Sequence, residues 1–359
     1  MTTLASTDFP PMSLHDLAAR SIHCAPVLLA LVFCALATFA QADDSAIWRY
    51  QVQRGDTLFL IAERYLENSA DWRDIQGVNK LKNPNRIEPN TDLLLPTKLL
   101  KRQRVFATIV SVDGAVERRA QGKSTLEPLG KGDLIRQGDQ IQTGKIGNAV
   151  VDFVDGSQLV ILRNSIVTFR TLQGRANARL ASVQIDLKQG RVETRVIPRK
   201  DNGSVYEIIT PTVQIGVRGT QFRVNAGDSN APTRTEVMEG EVAAGNSQGS
   251  QTVPQGFGTL VEKDQAPLPP IPLLAAPTPP NLHFTPTTVT AHWPELAKAV
   301  SYRLVIAGNA SFSPLAAEHV TTKPEIQLAQ LPAGRYYLQL RAIDANGLEG
   351  FSSVRTADF

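Results

Sequence analysis

The sequence predicts a multidomain protein: a small α/β module of β-α-α-β order, then two all-β units. Three observations predict it. Apolar residues fall at helical spacing only between Ile47 and Pro96, short β-like runs punctuated by Gly follow from Val105, and the seven prolines of 264–280 divide the β-rich part. At 359 residues the chain exceeds what one core organises. Its 42% hydrophobic and 20% charged residues are those of a folded rather than a disordered chain.

The first element in chain order is a leader. Ala25 to Phe39 is apolar, follows Arg20 and ends on Ala40-Gln41-Ala42, the pattern of a secretory signal peptide. Residues 1–42 are therefore expected to be removed before Asp43 and the protein exported to the periplasm or cell wall. An uncleaved anchor is the rival reading, although the apolar run is shorter than the roughly 20 residues that span a bilayer. The n-region is long and holds Asp8 and Asp16, which leaves Met12 as an alternative start. Both cysteines, Cys24 and Cys34, lie in this leader, so a mature chain has no disulfide, thiolate metal site or cysteine nucleophile. Taking Arg20, Asp8 and Asp16 from the 37 basic and 34 acidic residues leaves 36 against 32, a net +4 too dilute to argue for nucleic acid.

Residues 48–97 form the α/β module. Trp48, Tyr50 and Val52 alternate as in a strand with one buried face. Gly55 breaks the strand, and Asp56 can cap a helix starting at Thr57. Leu58, Ile61, Ala62, Tyr65 and Leu66 then make one apolar stripe on that helix. Asp71 can cap a second helix that buries Trp72 and Ile75 and ends near Asn79. Lys80 to Asn90 is loop chemistry, and Asp92 to Pro96 is the closing strand.

The run Tyr50-Gln-Val52-Gln-Arg-Gly55-Asp56-Thr57-Leu58-Phe59-Leu60-Ile61-Ala62, with Asn79, Ile87-Glu88-Pro89-Asn90 and Leu93-Leu94-Leu95-Pro96, resembles the LysM family. Asn90 stands where that family usually has Gly, and Asn tolerates the left-handed backbone such a turn needs. The resemblance implies a shallow groove binding N-acetylglucosamine polymers such as peptidoglycan. Its loops would be Gly55, Asp56, Thr57 and Leu58 on one side and Asn83, Pro84, Asn85, Arg86 and Ile87 on the other. The chemistry is reasonable in itself, because an N-acetyl group takes amide hydrogen bonds and a small apolar contact. The bland reading of the same residues is a turn, a helix cap and a core isoleucine, and both can hold together. Trp72 reads as core rather than as a stacking platform.

After a basic connector, Thr97 to Arg104, residues 105–262 read as an all-β unit. Asp113-Gly114 and Asp155-Gly156 sit between apolar runs as hairpin signals. The unit Leu187-Lys-Gln-Gly190-Arg-Val192 recurs as Val237-Met-Glu-Gly240-Glu-Val242, which indicates tight glycine corners. Thr210-Pro211-Thr212-Val213 with Gly216-Val217-Arg218-Gly219-Thr220, Phe222 and Val224, and Phe153-Val-Asp-Gly156-Ser157 upstream, resemble the FecR-type periplasmic domain. From Arg163 to Lys200 nine basic residues (163, 170, 175, 179, 188, 191, 195, 199 and 200) face two acids, Asp186 and Glu193. They read either as a patch for acidic partners or as solvated strand faces. Arg218 is either a specific contact or an arginine laid over a glycine turn.

Residues 264–280 suit an extended Pro-rich linker, which leads to the expectation that the C-terminal unit moves freely. That unit, 281–359, resembles a fibronectin type III sandwich through Val289-Thr-Ala-His-Trp293, Tyr302 to Ile306 and Leu331 to Ala342. The resemblance implies a tyrosine corner at Tyr336 or Tyr337.

Catalysis finds little support. No histidine lies between Asp43 and Leu282, His283, His292 and His319 lack ligand spacing, and there is no phosphate loop or HExxH. The carboxylates Asp152 and Asp155 flank a turn. The expectation is a non-enzymatic chain without cofactor or metal. It would bind peptidoglycan or a related glycan through the first module and an unidentified envelope protein or polysaccharide through its β domains, with no nucleic acid. The alternative is a periplasmic signalling component anchored by an uncleaved leader.

Overall fold

The computed structural model describes residues 47–177, 180–198, 205–217, 219–228, 231–285, 288–310, 312, 315–329 and 331–359. The expected leader with Met12, Cys24 and Cys34 lies outside the described residues, as do Arg179, Arg199, Lys200 and Arg218. Three separate apolar cores organise the rest, one in each predicted unit.

In the first unit β1 (Ile47–Gln51) pairs antiparallel with β2 (Asp92–Pro96), Tyr50 standing opposite Leu93. The helices α1 (Leu58–Tyr65) and α2 (Trp72–Val78) complete the β-α-α-β order. Leu58, Ile61, Ala62 and Leu66 of the predicted stripe are buried with Ile75, Leu93 and Leu95. The core runs past the expected end at residue 97: Leu100 is fully buried in it, and Ala176 of the middle unit packs against it.

The connector is a structural joint. Arg102–Arg104 pairs with 173–175 of the strand Ile166–Arg175, and buried Arg175 donates from Nη1 to the Thr97 carbonyl at 2.6 Å.

The middle unit holds two sheets that share the 16-residue strand Leu180–Arg195. The first sheet runs Glu127–Pro128, Val116–Arg119, Gln140–Thr143, Ile166–Arg175, 180–189, Val205–Ile209, Gln214–Val217, Glu241–Asn246 and Gly249–Pro254. The second runs Leu134–Ile135, Ala107–Asp113, Asn148–Asp152, Gln158–Ile161, 190–195, Gln221–Ala226, Thr233–Glu239, Phe257–Val261 and Ile271–Pro272.

The repeated glycine unit has a physical reason. Gly190, at φ +97°, is where the shared strand leaves the first sheet for the second, and Gly240, at φ +80°, is where the chain returns to the first. A β-carbon on Gly190 would lie 2.4 Å from the Ser165 Cα, a close approach that only glycine permits.

Asp155-Gly156 does join a paired hairpin, Asn148–Asp152 with Gln158–Ile161. Asp113-Gly114 does not: Ala107–Asp113 belongs to the second sheet and Val116–Arg119 to the first, so this turn is another corner between sheets. A turn signal fixes a reversal of the chain but not which strands then pair.

The C-terminal unit is a sandwich of a three-stranded sheet (Asn281–Phe284, Thr288–His292, Glu325–Ala329) and a four-stranded sheet ordered Leu315–Thr321, Ser301–Ala307, Arg335–Ile343, Glu349–Asp358. That is the strand arrangement of the type III fold. Trp293 is buried edge-on against Tyr302, ring centroids 5.3 Å apart. Among the described residues neither the Tyr336 nor the Tyr337 hydroxyl makes the hydrogen bond of the expected tyrosine corner. Tyr336 packs on Phe359, and it is the Tyr302 hydroxyl that accepts a backbone N–H, from Leu296 at 2.8 Å.

The Pro-rich linker is not a free spacer. Ile271–Pro272 is the edge strand of the second sheet, Leu268 and Leu273 donate backbone hydrogen bonds to Leu260 and Gly256, and Phe351 of the sandwich donates to Leu274. Proline is tolerated there because an edge strand has one ladder to fill.

Beyond the linker, the four-stranded sheet faces the second sheet through charges. Arg341 binds Glu193 at 2.6 Å and Glu349 at 3.2 Å, Arg303 binds Glu349 at 2.7 Å and also Glu318, and Arg223 donates to the Glu349 and Gly350 carbonyls. Free motion of the C-terminal unit, the expectation from composition, is incompatible with these buried contacts.

Two tests follow from this architecture. Gly190→Ala should cost roughly 2–5 kcal/mol, since the residue must hold a left-handed backbone against Ser165; chemical denaturation reads this directly. Glu236 stands opposite Arg223 in register and accepts the Glu349 backbone N–H at 3.1 Å. Burial first, and then the Glu349 carboxylate, push its carboxyl up to about 7 against the pull of Arg223 and Arg191. A folded value above the unfolded one makes its contribution fullest below about pH 4.5 and lost as pH rises to about 7, on the order of 3 kcal/mol. Melting temperature should fall across that window, and Glu236→Gln should flatten the fall.

Candidate glycan-binding site

Two loops rise from the same end of the β1–β2 pair. Val52 donates to the Thr91 carbonyl at 2.9 Å and accepts from Asn90 N–H at 2.7 Å, so the segment leaving β1 is tied to the segment entering β2. Asn90 takes φ +66°, the left-handed backbone expected at a position where asparagine replaces glycine.

The first loop is clasped by Asp56. One carboxylate oxygen, Oδ2, accepts from Tyr50 Oη at 2.7 Å and Gln53 N–H at 2.8 Å, and Arg64 stands 3.6 Å from the other. Burial and the bond to Asp56 hold the Tyr50 phenol above its ordinary range, so it stays a donor. The helix cap is therefore not Asp56. α1 begins at Leu58 and Thr57 caps it, its hydroxyl accepting Leu60 N–H at 3.2 Å. Tyr50, six residues back on β1, competes for the carboxylate, a partner that capping signals do not reveal.

The second loop is fixed at its start by Asn79. This side chain donates to the carbonyls of Ile75 and Leu94 and accepts from Leu94 N–H at 2.7 Å, locking the end of α2 to β2. α2 itself is entered through a 3-10 turn capped by Asn68, and Asp71 makes no side-chain cap. Farther on, Asn83 Oδ1 accepts Asn85 N–H at 3.0 Å and holds the loop tip.

Among the candidate site residues, Gly55, Asn83, Asn85 and Arg86 are exposed, Asp56, Thr57, Pro84 and Ile87 are half-buried, and Leu58 is buried at 1% exposure. The Leu58 side chain is thus core and supplies no apolar contact to a ligand. Phe59 at 52% and Leu60 at 42% exposure stand beside it on the outside of α1. Both fall off the buried stripe of 58, 61, 62 and 66, a departure visible in the spacing. Trp72 is half-buried with the Arg73 guanidinium 4.7 Å over its ring, so it offers no open stacking face. What the loops present is exposed amide, guanidinium and backbone groups beside an exposed aromatic ring. That set can hydrogen-bond and pack on a sugar, and it contains no acid–base pair for chemistry. Among the described residues no three His, Cys, Asp or Glu side chains converge on a metal position.

Four of the nine basic residues of the middle unit's basic stretch are paired within the chain. Arg163 binds Glu318 at 3.0 Å, Arg170 binds Asp186 at 2.9 Å, Arg175 holds Thr97, and Arg191 reaches Glu318 and Glu349. An external patch built from those four is ruled out by their partners, three of them distant in sequence.

Comparison with known families agrees with this division. Residues 50–96 match the LysM domain and residues 139–243 match the FecR protein family. No curated protein sequence matches the chain. Two structures of a candidate anti-sigma factor from Parabacteroides distasonis are similar at 15% and 14% identity. They cover 36% and 39% of this chain and 57% and 68% of theirs, with TM-scores of 0.30 and 0.32. In the first case the chain spans little more than half of the relative's length. A two-domain fibronectin type III segment of chicken tenascin matches at 12% identity over 48% of this chain and 94% of its own, TM-score 0.22.

The clasp and the cap are separable. Thr57→Ala removes one cap bond and should cost about 1 kcal/mol. Asp56→Ala leaves the buried Tyr50 hydroxyl and Gln53 N–H without their acceptor and should cost more, about 2–3 kcal/mol. Amide-exchange protection of α1 in the full chain ranks the two.

Proposed function

We propose that this chain, which carries a LysM domain and a FecR segment, is a non-enzymatic adaptor of the bacterial cell envelope that holds peptidoglycan through its first module. The supporting observation is the LysM match over 50–96 together with two tethered loops that present polar groups beside exposed Phe59 and Leu60. The ligand class is a glycan of N-acetylglucosamine. Exposed loop amides take the N-acetyl group, and Phe59 supplies the apolar face that Leu58 cannot. The contact set is Gly55, Asp56 and Thr57 from the first loop, with Asn83, Pro84, Asn85, Arg86 and Ile87 from the second. Leu58 contributes only backbone. The β units engage another envelope component.

A second reading rests on the FecR match: a signalling component anchored by its leader. N-terminal sequencing of the protein from envelope fractions separates the two. A start at Asp43 supports the adaptor, and an intact leader in the inner membrane supports signalling.

A single shallow site of this kind binds in the millimolar to micromolar range, about 4–8 kcal/mol. Losing one polar or packing contact then weakens it several-fold. The full chain should co-sediment with insoluble peptidoglycan, and Phe59→Ser, Asn85→Trp and Arg86→Glu should each reduce the bound fraction while leaving the melting temperature close to wild type. A chain that stays in the supernatant across pH and salt would remove the wall-binding role.

A further inference from the structure

A cleft of about 410 Å³ opens where the second sheet of the middle unit meets the four-stranded sheet of the sandwich. Its apolar surfaces come from Val160, Met238 and Phe351. On its sheet side, strand register places Arg195 opposite Gln221 in one row and Glu193, Arg223 and Glu236 side by side in the next. Arg195 is exposed and has no ion-pair or hydrogen-bond partner among the described residues, unlike Arg163, Arg170, Arg175 and Arg191 of the same basic stretch.

Behind the cleft the buried charges are Arg223, Arg341, Glu236 and Glu349, two of each sign. Arg223, which lines the cleft at 6% exposure, leaves its Nε without a hydrogen bond, the nearest carboxylate oxygen standing 3.6 Å away on Glu236. Buried cations require a counter-charge. With Glu236 pushed up to about 7, part of that carboxylate is neutral near physiological pH, which leaves the positive sign in excess beside Arg223. Arg195 at the lip adds one more positive charge.

We propose that this cleft is a binding site for a small ligand with a terminal carboxylate on an apolar body, the carboxylate meeting Arg195 and Gln221 and the body lying on Met238 and Phe351. Clefts of this size at a domain junction that combine apolar surfaces with convergent polar groups are where such ligands bind. A guanidinium fork suits a carboxylate, and the size suits a short aliphatic acid or the free end of a dipeptide. The site is independent of the glycan loops, so each stands or falls separately.

The test uses calorimetric titration of the full chain with N-acetyl-alanyl-alanine, its C-terminal amide, and propionate. The dipeptide acid should bind and the amide should not. Propionate binding without the dipeptide would assign the site to free acids, and binding of both to the shared carboxylate. Arg195→Gln should weaken binding roughly ten-fold or more with no change in melting temperature, since Arg195 holds no structural contact. Met238→Trp, which fills the cleft, should abolish it, while neither variant alters co-sedimentation with peptidoglycan. Equal binding of acid and amide, unchanged binding by the Arg195→Gln variant, or no heat from any of the three probes at millimolar concentration overturns the proposal.

Discussion

The hairpin of Ile166–Arg175 and Leu180–Arg195 carries the other two units at its two ends. At one end, 173–175 pairs with Arg102–Arg104, Ala176 enters the LysM core, and Arg175 grips Thr97. At the other, the strand bends at Gly190 into the second sheet, and its last residues, Arg191 and Glu193, meet the sandwich. One strand therefore sets where both neighbours stand. The bend depends on a backbone that only glycine holds at low cost, and the grip on the module depends on a guanidinium that cannot lose its charge.

The two junctions use different physics. The LysM side is closed by apolar burial, Leu100 and Ala176 completing a core that otherwise opens to water. The sandwich side is closed by arginines and glutamates. Glu349 is held well below the ordinary carboxylate range because Arg191, Arg303, Arg341 and Arg223 outweigh the burial that opposes them. Buried ion pairs offset their own desolvation and little more, but deleting one partner leaves a charge stranded. A seam of this kind specifies one arrangement strongly while leaving each separated face soluble. An apolar seam of the same area would expose a sticky patch whenever it opened.

The order of the LysM module was legible because its signals are local: period two, a glycine break, period 3.6, an Asn-rich turn. The burial of Leu58 was legible in the helical stripe, but the roles of Asp56 and Leu100 were not. The Asp56 carboxylate is taken by Tyr50, six residues back on β1, and Leu100 belongs to a boundary that composition places at residue 97. The glycine unit at 190 and 240 was visible as a repeat, and its meaning as a corner between sheets needed the pairing. Seven prolines read as a spacer because proline is scored against strand interiors, and an edge strand is where that rule relaxes. The basic stretch read as an acidic-partner patch or as solvated strand faces, and neither reading anticipated that Arg163 and Arg191 pair with Glu318 and Glu349, more than 100 residues away.

Rigid attachment changes what a weak wall contact can accomplish. A LysM module on a flexible tether would bind and release without consequence for the rest of the chain. Here the connector is a paired strand, so the groove is fixed to the sheets it is joined to. If the glycan loops hold a wall strand and the seam cleft takes a carboxylate, the second event occurs at an effective concentration set by that fixed geometry. A ligand end attached to the same polymer gains avidity over a free one only where the polymer spans both sites, and gains nothing where it cannot. On the proposed reading, the hairpin makes the distance between the two sites one of the properties that decide which polymer could span both.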